Sequence, residues 1–313
     1  MAFELHCKLL GDKLRNQALY EALKKVIKPG ITTVSDIGSG TGFLSFLARQ
    51  LGAKQVYAYE GEKELLDMSL SLAKRNKISG ITFIPKYSFM VKKPVKTDVV
   101  ISETLGNYLL EEHILETLRD ARRFLKPGGM MIPQSARQFV APVSSQRIWN
   151  KLNIWDDVGY HLKLDEGKQA CLNNMFVEEL RHDLAVGLSP HSWDSIDFRK
   201  QEKSIRNGNA SWQARESAMI YGFALWWEAG LVGELRKLGE LGSLGEDGSP
   251  SSIRISTSPF VPKTHWQQIF IPLITPFKID FGDRLELSIQ SDTRLHVGVR
   301  LQWTAVVKNQ RGK

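Results

Sequence analysis

A chain of 313 residues with 42% apolar side chains, 14 Phe and 8 Trp can bury more than one core, so two domains are expected. Its two cysteines, Cys7 and Cys171, lie far apart and outside any metal-ligand spacing, which argues against disulfide or zinc frameworks and for a reducing compartment; no metal is expected. The net charge of +8 sits in residues 1–150, with 22 Lys+Arg against 14 Asp+Glu, while residues 151–313 balance at 20 and 20; no basic run exceeds two residues, so scattered solvated lysines are expected rather than a nucleic-acid surface.

The N-terminal stretch "MAFELHCKLLGDKLR" is amphipathic and charged, unlike a signal peptide, and no apolar run reaches about 18 residues, so a membrane span is not expected. A cytoplasmic protein is expected, or a nuclear one in a eukaryotic cell. From "TTVSDI" onward, strand-like and helix-like segments alternate, the pattern of a parallel sheet flanked by helices. "TTVSDI" and "QVYAYE" read as strands, with a helix over "TGFLSFLARQLG" closed by Gly52. A helix over "EKELLDMSLSLAKRN", strands at "ITFI" and "TDVVIS", and a helix over "EEHILETLRDARRFL" follow. Beyond Pro133 the apolar residues recur in steps of two, as in "RQFVAPVS", "SAMIYGFALWWEAGLV", "SSIRISTS", "QQIFIPL", "RLELSIQ" and "LHVGVRLQWTAVV", which predicts antiparallel strands. The expected division is therefore 1–133 and 134–313, with a more helical insertion at about 150–185. "GELRKLGELGSLGEDGSPSS" reads as a mobile loop, and adjacent Trp226 and Trp227 as facing opposite sides of a strand, core on one and an interface on the other.

"VSDIGSGTG" sets Asp36, Gly38, Gly40 and Gly42 between the first strand and a helix, where glycine permits positive φ and close approach of a ligand. Glu60 ends the second strand, where an acid can accept hydrogen bonds from both ribose hydroxyls. The spacing D-x-G-x-G-x-G differs from the dinucleotide fingerprint. It resembles motif I of class I S-adenosylmethionine-dependent methyltransferases, which implies that cofactor.

Three acids, Glu103, Glu111 and Glu112, crowd the loop after "TDVVIS". Like charges at one site repel unless a cation lies between them. A guanidinium fits, being planar, permanently charged and suited to bidentate carboxylate pairing. The bland alternative, acids capping a helix start, is worth up to about 1 kcal/mol.

At this point the chain resembles the protein arginine methyltransferases. Their double-E loop holds two glutamates nine positions apart, matched here by Glu103 and Glu112, with Glu111 left as a bystander at the following helix start. Their Thr-His-Trp loop is matched in "TSPFVPKTHWQQ" by Thr264, His265 and Trp266, and the helix that closes over the cofactor by "HCKLLGDKLR". The resemblance runs from about His6 to Gln268. It implies an α/β Rossmann-like domain, then an antiparallel β-barrel with an inserted helical arm that makes a homodimer. It further implies that Arg15 pairs with the cofactor carboxylate, and that Asp12 orients His265, which manages the released proton. Departures fall at Ser88, in place of an acid that contacts adenine, and at Leu9, in place of a methionine linked to product type; Thr104, Leu105 and Asn107 also differ. The expected acceptor is an arginine in a protein or peptide, with free arginine or another guanidino compound as the alternative. A non-catalytic paralogue that stabilises an active partner is the alternative of another class.

Overall fold

The computed structural model describes residues 2–233 and 252–309. The stretch read as a mobile loop lies for the most part outside them.

Two helices open the chain, α1 (Ala2–Gly11) and α2 (Lys13–Val26). Asp12 separates them and caps α2, its Oδ1 accepting the Arg15 amide at 3.0 Å. A five-stranded parallel sheet follows. Its strands are β1 (Thr33–Ile37), β2 (Gln55–Tyr59), β3 (Ile81–Ile84), β4 (Thr97–Ile101) and β5 (Leu125–Ile132), in the order β3-β2-β1-β4-β5. Helices α3 (Phe43–Gln50), α4 (Lys63–Arg75) and α5 (Ile114–Ala121) make the crossovers. Because β2 and β4 flank β1, the order reverses there, and the loops leaving β1, β2 and β4 open on one crevice, the place where such sheets bind ligands.

Two elements differ from those expected from the sequence. The helix read over "EEHILETLRDARRFL" begins only at Ile114, so Glu111 and Glu112 belong to an irregular loop. His113, at φ 56°, turns the chain into that helix. The segment "LKPGGMMI", assigned no strand from pattern, is β5, pairing parallel to β4.

The second half is antiparallel. A larger sheet runs β7-β12-β10-β6-β8, with β11 also on β10, from β6 (Ser135–Val143), β7 (Phe176–Glu178), β8 (His191–Asp197), β10 (Ala218–Val232), β11 (Ile253–Ser256) and β12 (Gln268–Ile279). A smaller one runs β14-β13-β9, from β9 (Ile205–Gln213), β13 (Arg284–Asp292) and β14 (Arg300–Lys308). The sheets meet at Gly208 of β9, where a Cβ would lie 2.1 Å from the Trp193 carbonyl oxygen on β8, so only glycine permits the approach. Helices α6 (Gln146–Leu152) and α7 (Asp165–Leu172) interrupt the strands after β6. One core is continuous across both halves, joining Ile37, Ile101 and Leu105 to Trp227, Trp266 and Ile269. A smaller one holds Phe139, Trp226 and Phe270 under Ile148 of α6. Trp226 and Trp227 face opposite sides as expected, Trp226 into the smaller core and Trp227 onto the Gly106–Asn107 loop where the two halves meet. The crevice is thus walled by two halves packed as one body.

Candidate active site

The loop after β1 carries Gly38, Gly40 and Gly42 at φ 70°, 54° and 83°, so each occupies the left-handed region that glycine tolerates. Gly38 and Ser39 donate their amides to the Tyr59 carbonyl, drawing the loop onto the end of β2. Glu60 is buried there, one oxygen accepting from the Gly40 amide at 2.7 Å and the other from the Glu62 amide at 2.8 Å. Asp36 faces the start of α3 and accepts the Ser45 hydroxyl at 2.7 Å; burial pushes its carboxyl up to about 6, with the Glu60 charge adding. The Ser39 and Thr104 hydroxyl oxygens are buried beside this loop without a partner. Thr104 Cγ2 would stand 3.5 Å from a Cβ on Gly38. A buried carboxylate, three left-handed glycines and two unpaired hydroxyls fit a polar ligand with hydroxyl groups, such as the ribose of S-adenosylmethionine.

His6 of α1 lies across the loop, and a Cβ on Gly40 would come within 2.5 Å of its ring. Gly40→Ala therefore meets both a left-handed φ and a ring, and is expected to weaken S-adenosylmethionine binding at least tenfold by calorimetry; unchanged affinity would remove Gly40 from the site. Ser88 is buried in a short 3-10 turn, its carbonyl accepting from Arg123 at 2.7 Å. Its neighbour Tyr87 covers Gly61 and donates to Glu62.

On the other side of the crevice, the loop from Ser102 to His113 is held by groups from both halves. Ser102 donates its amide to Ile132 and its hydroxyl to Ile37. The Trp266 indole donates to the Leu105 carbonyl at 2.8 Å, and the Trp227 indole to those of Gly106 and Asn107 at 3.0 and 3.1 Å. The Asn107 side chain accepts the Gln267 amide, and the Tyr108 hydroxyl donates to Ser291. Trp227 was missed as a functional residue: its neighbours in sequence read only as a buried strand, and its partner lies 120 residues away. Trp227→Phe keeps an aromatic ring, though a smaller one, and leaves two buried carbonyls without this donor, the lost donor alone costing about 1–3 kcal/mol. A lower melting temperature and a roughly tenfold loss in kcat/KM are expected; a wild-type rate in a destabilised variant would show that the clamp serves stability alone.

Arg15 and Glu103 meet beneath this loop with side chains only 6% and 5% exposed. The guanidinium donates through Nε, at 2.7 Å, and through Nη2 to one Glu103 oxygen, while Nη1 donates to Asn16. The partner seen for Arg15 is thus one of the two expected acceptor-holding acids. Burial raises the Glu103 carboxyl above its ordinary value, opposed by Arg15.

Asp12 joins the same site. Its Oδ2 accepts the His265 amide at 2.7 Å and faces His265 Nδ1 at 2.8 Å. Burial raises the Asp12 carboxyl, but the Arg15 and His265 amides and the His265 ring more than offset it, so the group stays ionised. Burial lowers His265 below its ordinary value, outweighing the pull of Asp12, and the ring packs 4.0 Å from Trp266. A neutral imidazole whose Nδ1 proton faces Asp12 leaves Nε2 as an acceptor.

Glu103, Glu112, His265 and Leu9 line one cleft of about 430 Å³, with Lys8, Asn107, Glu111 and Gln267 also on its walls. Glu112 opens to solvent at its mouth, and no hydrogen bond or ion pair engages it among the described residues. Desolvation pushes its carboxyl up to about 7, with Glu103 and Glu111 adding to the shift. Since the acid form is favoured in the fold, this group's stabilising contribution is complete below about 4.5 and is lost as pH rises through about 7. If the carboxylate form is the working one, kcat/KM should rise with pH through about 7, and this limb should vanish in Glu112→Gln. A limb that persists in the variant would belong to another group.

Residues 134–306 match the model of an arginine methyltransferase oligomerization subdomain, and residues 28–178 that of a methyltransferase domain. The histone-arginine methyltransferase CARMER of Drosophila persimilis is 29% identical over 263 residues, which are 80% of this chain and 46% of the relative; that of Drosophila virilis is 28% identical with the same coverage. The chain thus spans about half the length of the curated relatives it matches. Among solved structures, protein arginine methyltransferase 10 of Arabidopsis thaliana aligns with a TM-score of 0.79 at 25% identity, covering 98% of this chain and 93% of that one. The Trypanosoma brucei PRMT1 enzyme-prozyme complex with AdoHcy aligns at 0.82 and 20% identity, covering 98% and 94%, a likeness of fold.

Proposed function

Since the chain belongs to the protein arginine methyltransferase family, we propose that it transfers a methyl group from S-adenosylmethionine to a guanidino nitrogen of arginine in a protein or peptide. The observation that carries this reading is the cleft in which Glu103, buried on Arg15, and the unpaired Glu112 stand with His265, itself held by Asp12. Gly38, Gly40, Gly42 and Glu60 would hold the cofactor, with Asp36 bracing the glycine loop through Ser45 and Ser88 and Leu9 at its edges. When bound, the cofactor supplies an electrophilic methyl on a positively charged sulfur. Arg15 would turn toward the cofactor carboxylate as a charge-assisted donor, which releases Glu103 to the acceptor. Glu103 and Glu112 then clamp the acceptor guanidinium from two sides, fixing its plane and concentrating electron density on one nitrogen. His265, neutral and oriented by Asp12, accepts the proton lost after transfer through Nε2.

In this reading residues 1–133 form the cofactor domain and residues 134–313 the acceptor domain. The helical insertion at about 150–185 is the arm of a homodimer, supported by the match to an oligomerization subdomain. A cytoplasmic or nuclear site of action is consistent with the two unpaired cysteines and with the absence, among the described residues, of a helix able to cross a membrane. The test of the acceptor offers labelled S-adenosylmethionine with an Arg/Gly-rich peptide and with free L-arginine. Label on the peptide supports the proposal; label on free arginine alone moves the assignment to small-molecule chemistry.

A further inference from the structure

Glu111, read from sequence as a bystander at a helix start, lies on the cleft wall. It sits in the loop before α5, packed so closely on Gly106 that a Cβ there would lie 2.5 Å from the Glu111 Cβ and 2.6 Å from its Oε2. Gly106 is in turn held by the Trp227 indole, and its neighbour Asn107 by Gln267, so the wall that carries Glu111 is a fixed part of the cleft. Lys8, the one cation lining this cleft among the described residues, pairs with Glu4 at 3.6 Å; Arg15 behind Glu103 is held by that acid, and the neutral His265 ring faces Asp12. Glu111 and Glu112 are the cleft carboxylates with no hydrogen bond or ion pair among the described residues.

One acceptor guanidinium between Glu103 and Glu112 uses their charge and leaves Glu111 unmatched. We propose that Glu111 is a specificity-determining residue that selects acceptor peptides carrying a second cationic side chain, Lys or Arg, beside the arginine to be methylated. The inference rests on the arginine-methylation reading and adds the substrate class. The whole-protein charge works against it: a chain of +8 repels basic peptides at long range, so a preference for them must come from local acids.

The test compares two acetylated, amidated peptides, Gly-Gly-Arg-Gly-Gly and Gly-Lys-Arg-Lys-Gly, at low salt, by kcat/KM and by equilibrium binding in the presence of S-adenosylhomocysteine. Wild type should favour the lysine-flanked peptide by about five- to tenfold, and the advantage should shrink as salt screens it. Glu111→Gln should bring the ratio near one, Glu111→Asp should retain it, and Glu111→Lys should invert it. A ratio near one in wild type, or the full preference surviving in Glu111→Gln, overturns the proposal. Should neither peptide accept a methyl group, the arginine-methylation reading fails on the kinetic arm, while the binding ratios still decide the role of Glu111.

Discussion

Glu112→Gln is expected to lower the rate of methyl transfer by about 10²–10³-fold while leaving S-adenosylmethionine affinity within a fewfold of wild type. The substitution keeps the size and removes the charge. Groups aimed at charge in a transition state are worth roughly 2.7–4 kcal/mol each, which is the origin of that range. Glu112 has no partner among the described residues, so its removal leaves no orphaned cation. The fold should therefore survive, with a melting temperature equal to or slightly above wild type near pH 7, because an acid whose carboxyl is pushed up to about 7 destabilises the fold when ionised. Equal loss in kcat and kcat/KM would place the effect in the transition state; a pure rise in KM would make Glu112 a simple binding group.

Arg15→Met has the largest expected effect on stability. It strips the counterion from Glu103, whose side chain is 5% exposed. Leaving one charge of a buried pair costs about 3–5 kcal/mol. In a protein of this size that corresponds to a fall of about 5–8 °C in melting temperature. The Glu103 carboxyl, already raised by burial, would rise further, so the variant should lose stability as pH increases through its new value. Adding Glu103→Gln should restore much of the stability and none of the activity. A single variant as stable as wild type would mean that water reaches Glu103 and that the pair is not a buried one.

The parallel half was legible because its signals are local. The glycine loop, the acid ending β2 and the apolar runs of β1, β2 and β4 each lie within a few residues, and the nine-residue spacing of Glu103 and Glu112 led to the cleft. What escaped depends on distant partners. β8 and β9 were missed because "HSWDSID" and "IRNGNASWQ" mix polar and apolar residues at a junction between sheets. The helix drawn through Glu111 and Glu112 was wrong because His113 takes a left-handed conformation that stops helical pairing before Ile114. The Arg15–Glu103 pair joins residues 88 apart. No period in the chain announces it, and only a family likeness set both residues in one site.

The most direct measurement is tandem mass spectrometry of an arginine-containing peptide after reaction with labelled S-adenosylmethionine, comparing wild type with Glu112→Gln. The methyl group is expected on a guanidino nitrogen, and is expected to be lost in the variant while cofactor binding persists. Label on a lysine, a histidine or a terminus, or no label at all from a protein that binds the cofactor and the peptide, would contradict it.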